Sequence, residues 1–377
     1  MVRDINKSVF PKETKLKLDI FRECFREWYP VFLHNSHISR LYIYDMFAGS
    51  GKDYEGNSGS PLILLQEARG DKLQHCDFLL KKKAPLVYFG FNEKIQHKAQ
   101  KLEQNIIAEL NQCLQYCKRS SCLFSNTYKV AHFDFQDLIH NKTLCGILAN
   151  KSYGKFIFLD QYGFKQINND TFLKLVNSPK TDFIFFIASS FVKRFKTLPA
   201  VTTYFDDNKI IYDETKPKEC HRVITNYFRE LIPQNKEYYL HSFTIQKGPN
   251  YYGLIFGTSH TLGMEKFLRV CWKYDKLAGE SNCNINNDYE AGTLFYDPNI
   301  SNKRRKVSQM LREKILNGEI SNNKDGLISA LKEGCEPRLF VETIELMLKN
   351  KEVSIEGNFN KKATGIHLVE VYNIKKL

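Results

Sequence analysis

The sequence predicts an α/β protein: a mostly parallel sheet covered by helices on both faces, closed at one edge by an antiparallel hairpin and followed by a small module. Three observations carry this. Short apolar runs rich in Ile, Leu, Phe and Tyr alternate with helical patterns from Leu41 onward, as in βαβ units. The runs are apolar throughout rather than at every second residue, which fits strands buried on both faces. From Val307 the pattern changes to three short helices and two strand-like runs around a Lys-rich turn, the order of a winged helix. With 377 residues, 42% hydrophobic and 26% charged, the chain has room for one large and one small globular domain, expected over 1–300 and 301–377.

The elements follow in order. Thr14 to Leu33 places apolar residues at helical spacing behind Pro11, an amphipathic helix leading into the core. Then come LYIYDMF, PLILLQEA, PLVYFGF, a helix from Lys94 to Leu114, YKVAHFDF, a helix near Leu138, KFIFLD and a helix near Phe172. The run from Phe183 to Val192 reads as a buried strand and is far short of the ~20 residues that cross a bilayer, so no membrane is expected. A helix from Arg222 to Leu231 precedes EYYLHSFTIQ and NYYGLIFGTS, joined through Lys247, Gly248 and Pro249 as a hairpin. A helix from Met264 to Tyr274 is followed by a linker to about Arg305, where KRRK reads as a solvated charge run. The tail contributes QMLREKILNG, KDGLISALKEG, PRLFVETIELMLKN, EVSIEG and IHLVEVYN.

Fifty-five Lys and Arg against 42 Asp and Glu give a net charge of +13, which suits DNA or RNA as a partner and also many basic proteins that bind neither. Ten scattered cysteines and a start without an apolar signal region point to a reducing cytoplasm. Cys113, Cys117 and Cys122 match no standard zinc spacing.

The candidate site lies at successive strand ends. Asp45-Met46-Phe47-Ala48-Gly49-Ser50-Gly51 ends the first strand, and its glycines let backbone approach a ligand at a helix N-terminus. In methyltransferases such a carboxylate faces the sulfonium end of S-adenosylmethionine. Glu93, at the end of the second strand, is placed to accept from both ribose hydroxyls. Its distance from Asp45 exceeds the usual ~20 residues, so an insertion after the glycine loop is expected, starting around Asn57-Ser58-Gly59-Ser60-Pro61. Phe133-Asp134-Phe135 ends the third strand, with Asp134 as acceptor for an adenine amino group and an aromatic, Phe135, at the ring. Cofactor contacts are therefore expected from Asp45, Phe47, Gly49, Gly51, Glu93, Asp134 and Phe135. Any of these acids taken alone is more often a capping or surface acid, and it is their order at three consecutive strand ends that points to a site. The fourth strand ends Asp160-Gln161-Tyr162-Gly163, where Asp160 would take the N–H of a target amine and Tyr162 would stack on its ring as the catalytic pair. Together these features predict the Rossmann-like class I methyltransferase fold.

These residues resemble the three-Cys-motif partner (TcmP) family. The likeness runs through ETKLKL and REWY, YIYDMFAGSG, the Gly59-Ser60-Pro61-Leu62 element, FNEK, FDF, FLDQYG, FVKRF, YYGLIFGTSH and MEKFLRVCWKYD, and the tail is similar to the winged helix-turn-helix extension such proteins often carry. The resemblance implies a methyltransferase-like fold and a functional link to a separate three-Cys-motif protein of the iron–sulfur, radical-enzyme kind. Gln161 stands where the family usually has Pro. Two functions are open at this point: methyl transfer from S-adenosylmethionine to nucleic acid, or a non-catalytic, cofactor-binding subunit that positions the three-Cys-motif protein. In the tail, Glu342 and Glu345 on the candidate recognition helix oppose phosphates, so nucleic-acid contact is expected from the wing residues Lys361 and Lys362.

Overall fold

The computed structural model describes residues 8–161, 163–194, 199–202, 204, 212, 216–289, 292–295, 297 and 301–377. Tyr162 lies outside the described residues. A seven-stranded sheet has the order β3-β2-β1-β4-β5-β7-β6, built from β1 (Arg40–Asp45), β2 (Leu86–Asn92), β3 (Tyr128–Ala131), β4 (Tyr153–Leu159), β5 (Thr181–Ile187), β6 (Tyr239–Lys247) and β7 (Asn250–Thr258). Strands β1 to β5 pair in parallel, and the β6–β7 hairpin joins β5 antiparallel through β7. This order, with one antiparallel strand inserted beside β5, is that of the Rossmann-like class I methyltransferase fold.

Two cores cover the two faces, and β4 shows how the chain divides between them. Phe156 and Phe158 enter one cluster, while Ile157 and Leu159 enter the other, as the two-residue repeat of a strand requires. The first cluster is closed by α1 (Lys12–Leu33), α2 (Ser60–Glu67), α4 (Gln96–Cys117) and α11 (Thr261–Tyr274). On α1, Phe21, Phe25, Trp28 and Tyr29 are all buried, and this helix lies against α2 and α11. The second is closed by α5 (Phe135–Ile139), α6 (Lys142–Ala149), α7 (Asn169–Asn177), α8 (Ser189–Arg194) and α10 (Cys220–Leu231). Short α3 (Gln74–Leu79) follows α2, and α9 (Pro199–Thr202) follows α8.

PLILLQEA is helical, as its place between the first two strands predicts: Gly59 stands at the N-cap and Pro61 in the first turn, where its missing N–H costs nothing. Three expectations are corrected. The buried run from Phe183 is strand only to Ile187, after which the chain turns into α8. KRRK is no linker. It lies in the first turns of α12 (Asn302–Leu316), capped by the Ser301 hydroxyl on Arg304 N at 3.0 Å, and Lys303 reaches inward to Glu280 at 3.3 Å and to the Ala278 carbonyl at 2.9 Å.

The third concerns the tail, in which α13 (Asn323–Lys332) and α14 (Arg338–Lys349) precede a two-stranded antiparallel sheet of β8 (Val353–Glu356) and β9 (Asn373–Lys376). The second strand is Asn373–Lys376 rather than IHLVEVYN. Ile366–Leu368 instead forms a 3-10 turn, because buried Glu265 of α11 accepts from Gly365 N at 2.7 Å and Ile366 N at 3.0 Å and pins that segment to the main body.

Candidate active site

Four carboxylates stand at the carboxyl ends of four neighbouring strands, in the spatial order Asp134, Glu93, Asp45, Asp160. Register fixes this: Asp45 on β1 is opposite Phe91 on β2 and Phe158 on β4, so Glu93 and Asp160 each lie two residues beyond it. Ligands of open α/β sheets bind at this edge.

Asp45 is fully buried. Its Oδ1 accepts from Phe47 N at 3.1 Å, and its Oδ2 has no hydrogen-bond partner. Burial pushes the carboxyl up to about 7, opposed by the neighbouring Ser60 hydroxyl and the Phe47 N–H, with Asp160 raising it further and Lys17 lowering it. The loop beyond it turns through Gly49 and Gly51 at φ +61° and +81°. At the φ of Gly51 an L side chain is strained, and a Cβ there would also meet Leu102 Cδ1 at 2.8 Å, so the turn favours glycine. Asn105 Nδ2 holds the loop by donating to Ser50 O at 2.7 Å.

The insertion begins earlier than expected, at Lys52, and the chain returns where Gly59 N donates to Gly51 O at 2.8 Å. Asp53 organises it, accepting from Glu55 N at 3.0 Å, Asn57 N at 2.8 Å and Phe10 N at 2.9 Å. This excursion, α2 and α3 together account for the long separation of Asp45 and Glu93.

Glu93 is half-exposed at the edge, with Oε1 accepting from Ile95 N at 2.9 Å. Asp134 is both a helix cap and an ion-pair partner: Oδ1 accepts from Gln136 N at 2.8 Å and Oδ2 from Lys94 Nζ at 2.7 Å. The Lys94 ammonium and the Gln136 N–H hold its carboxyl below the usual range. Phe135 is a correction. At 2% exposure its ring belongs to the core, 5.0 Å from that of Phe47, while Phe133 is 51% exposed and is the aromatic beside Asp134 that a planar ligand could meet. Residue 135 is the first of α5, and the turn that starts a helix sends it inward.

Among the described residues Asp160 caps no helix. Its carboxylate is ion-paired with the ammonium of Lys17, which reaches in from α1, 143 residues away. Gln161 is buried; Oε1 accepts from Gln166 N at 2.8 Å, and Nε2 has no partner. Lys361 and Lys362 are exposed in the segment between β8 and β9, Lys361 paired with Glu345 of α14 at 2.7 Å.

Sequence reading missed two residues of this edge. Asn92 ties three strand ends together: Nδ2 donates to Met46 O at 3.3 Å and Phe133 O at 3.1 Å, Oδ1 accepts from Phe133 N at 3.0 Å, and its carbonyl accepts from Ala48 N at 2.8 Å. Nothing in its local pattern marks it. Lys17 does leave a signal, since it stands four residues before Phe21 and seven before Cys24, on the buried stripe of an amphipathic helix.

No family model matches the chain, and no curated protein matches it. Among solved structures, it is similar to Trm1 from Pyrococcus horikoshii in complex with S-adenosyl-L-methionine, with 11% identity, TM-score 0.39, and 100% of this chain and 93% of that one covered. It is also similar to M. jannaschii TYW2 in complex with AdoMet (12%, TM-score 0.30, 67% and 78% covered) and to a putative methyltransferase, yhhF, from Escherichia coli (14%, TM-score 0.26, 62% and 85% covered).

Proposed function

We propose that this chain binds S-adenosylmethionine at the carboxyl ends of β1 to β4 and transfers its methyl group to nucleic acid, working with a separate three-Cys-motif protein. The observation that carries this is the buried Asp45 carboxylate with an unpartnered Oδ2, beside a loop whose positive φ at Gly51 favours glycine. An orphaned buried oxygen is costly unless a ligand completes it. A cofactor with a sulfonium and an ammonium is suited to do so, and the residues present fit it. Glu93 would hold the ribose, and Asp134 with exposed Phe133 the adenine side. When bound, the cofactor supplies an electrophilic methyl group. Asp160 would accept the target N–H, with Tyr162 as a stacking platform, and Lys361 and Lys362 of a winged-helix tail would engage phosphates.

The test measures transfer of labelled methyl from S-adenosylmethionine to pooled RNA and DNA, beside melting temperature, for the parent and Asp160→Asn. Loss of transfer in a variant that still binds S-adenosylmethionine supports the role of Asp160. Full turnover with lowered stability would sink it.

A second reading has its own observation. The Asp160 carboxylate is already engaged by Lys17, and Gln161 closes the loop where the resembled family has Pro. A non-catalytic subunit that binds the cofactor and positions its three-Cys-motif partner accounts for both. Cofactor binding without transfer, together with retention of that partner on purification, would favour it.

A further inference from the structure

We propose that Lys17 sets the charge preference of the strand-end site, holding Asp160 in an ion pair so that the site takes the neutral thioether S-adenosylhomocysteine at least as tightly as the sulfonium S-adenosylmethionine. This rests on the cofactor reading above.

The placement of Lys17 follows from how α1 packs on β4. Phe21 stacks on Phe158 with ring centroids 4.0 Å apart, and Phe25 and Trp28 contact Phe156 at 5.4 and 4.9 Å, so helix and strand run in opposite directions. Four residues back along the helix is about 6 Å, and two residues on along the strand is about 6.6 Å. The step from Phe21 to Lys17 therefore matches the step from Phe158 to Asp160. The rings that fix this register are core residues, so the ammonium is delivered to Asp160 by the packing of the whole helix. Its stem is buried, and Nζ also lies 4.7 Å from the centroid of the Phe186 ring, a second interaction that favours a cation there.

The electrostatic effect follows. Without Lys17, Asp45 and Asp160 would stand at the ends of adjacent strands as two acids with no fixed counter-charge between them, a site that selects cations. With Lys17 the Asp160 charge is matched, and a sulfonium gains correspondingly less over a thioether. Asp45 lies close enough to both partners that each acts on its ionisation.

Calorimetry of the full chain with each nucleoside in turn measures the ratio of the two affinities. In the parent, S-adenosylhomocysteine is expected to bind as tightly as S-adenosylmethionine or more tightly. Lys17→Met should move the ratio toward S-adenosylmethionine by about tenfold, the effect of one unit charge several ångströms away at a partly screened site. Lys17→Arg should keep the parent ratio, and Lys17→Met with Asp160→Asn should return most of the way to it. Should Lys17→Met fail to fold, Asp160→Asn alone must shift the ratio the other way, toward S-adenosylhomocysteine. An unmoved ratio in folded Lys17→Met, or in Asp160→Asn, overturns the proposal and leaves Lys17 a structural pair. If neither nucleoside binds the parent, the cofactor reading itself fails and the proposal falls with it.

Discussion

Asp45 holds its proton to about pH 7 in the folded protein, against an ordinary value of 3.8, because it is buried with one oxygen unpartnered. Between these values the unfolded chain releases a proton that the folded one keeps, so this group's contribution to stability is complete below about pH 4 and is lost as pH rises toward 7. Buried Asp182 of β5, which accepts from Trp28 Nε1 at 2.9 Å, is likewise raised by burial to about 7 and adds to the same slope. Asp45→Asn should flatten that fall by roughly 2–4 kcal/mol between pH 4 and 7, read from urea titrations at several pH values. An unchanged slope would show that Asp45 is ionised in the fold. At Glu93 the expectation concerns binding rather than folding. Its carboxylate is half-exposed and has no charged partner among the described residues, so Glu93→Ala should leave the melting temperature nearly unchanged and weaken S-adenosylmethionine binding by about 1.5–3 kcal/mol, measured by calorimetry.

Single elements here are held by contacts far away in sequence. The segment before β9 has the apolar composition of a strand, yet two N–H groups at Gly365 and Ile366 find a better acceptor in Glu265 of α11 than in a neighbouring strand. Glu265→Ala would leave both donors without that partner, Ile366 N buried and Gly365 N half-buried. The variant is expected to lose about 2–4 kcal/mol and to expose 357–372 to limited proteolysis before the main sheet yields, since removing one buried acceptor costs about 1–3 kcal/mol for each group it served. Simultaneous loss of both regions in the proteolysis course would show that tail and sheet unfold as one.

Across the whole molecule, the tail is bound to the main body by charge as well as by packing. Buried Glu280 pairs with Arg222 of α10 at 2.6 Å and Lys303 of α12 at 3.3 Å, and Trp272 Nε1 donates to Gly334 O at 3.1 Å. Several of the basic residues are therefore internal ties, so fewer of the 55 Lys and Arg are free to meet a polyanion. Lys361 and Lys362 remain exposed. Replacing both with Ala should weaken nucleic-acid binding and reduce the slope of log affinity against log salt by up to about two, less if the Glu345 partner already neutralises Lys361. Titrations of an RNA and a DNA oligonucleotide at several salt concentrations measure the slope, and no change would assign this segment to protein docking.

The α/β class, the parallel core strands, the edge hairpin and the four strand-end carboxylates were legible in the sequence. Each depends on local pattern: apolar runs, turn residues, and an acid placed where a strand must stop. Asp45, Glu93 and Asp160 stand at those ends, and Gly49 and Gly51 adopt the positive φ that their turn suggested. What those acids touch was not legible. The inward ring of Phe135, the Lys94 partner of Asp134, the hold of Asn92 on three loops and the fate of the IHLVEVYN run all depend on which distant segment arrives beside them. Lys17 shows the division most clearly. Its place on a buried helical stripe could be read from spacing, but its partner Asp160 was decided only when aromatic packing set the register of the first helix against the fourth strand, because a side chain's charge has no preferred partner until the fold brings one within reach.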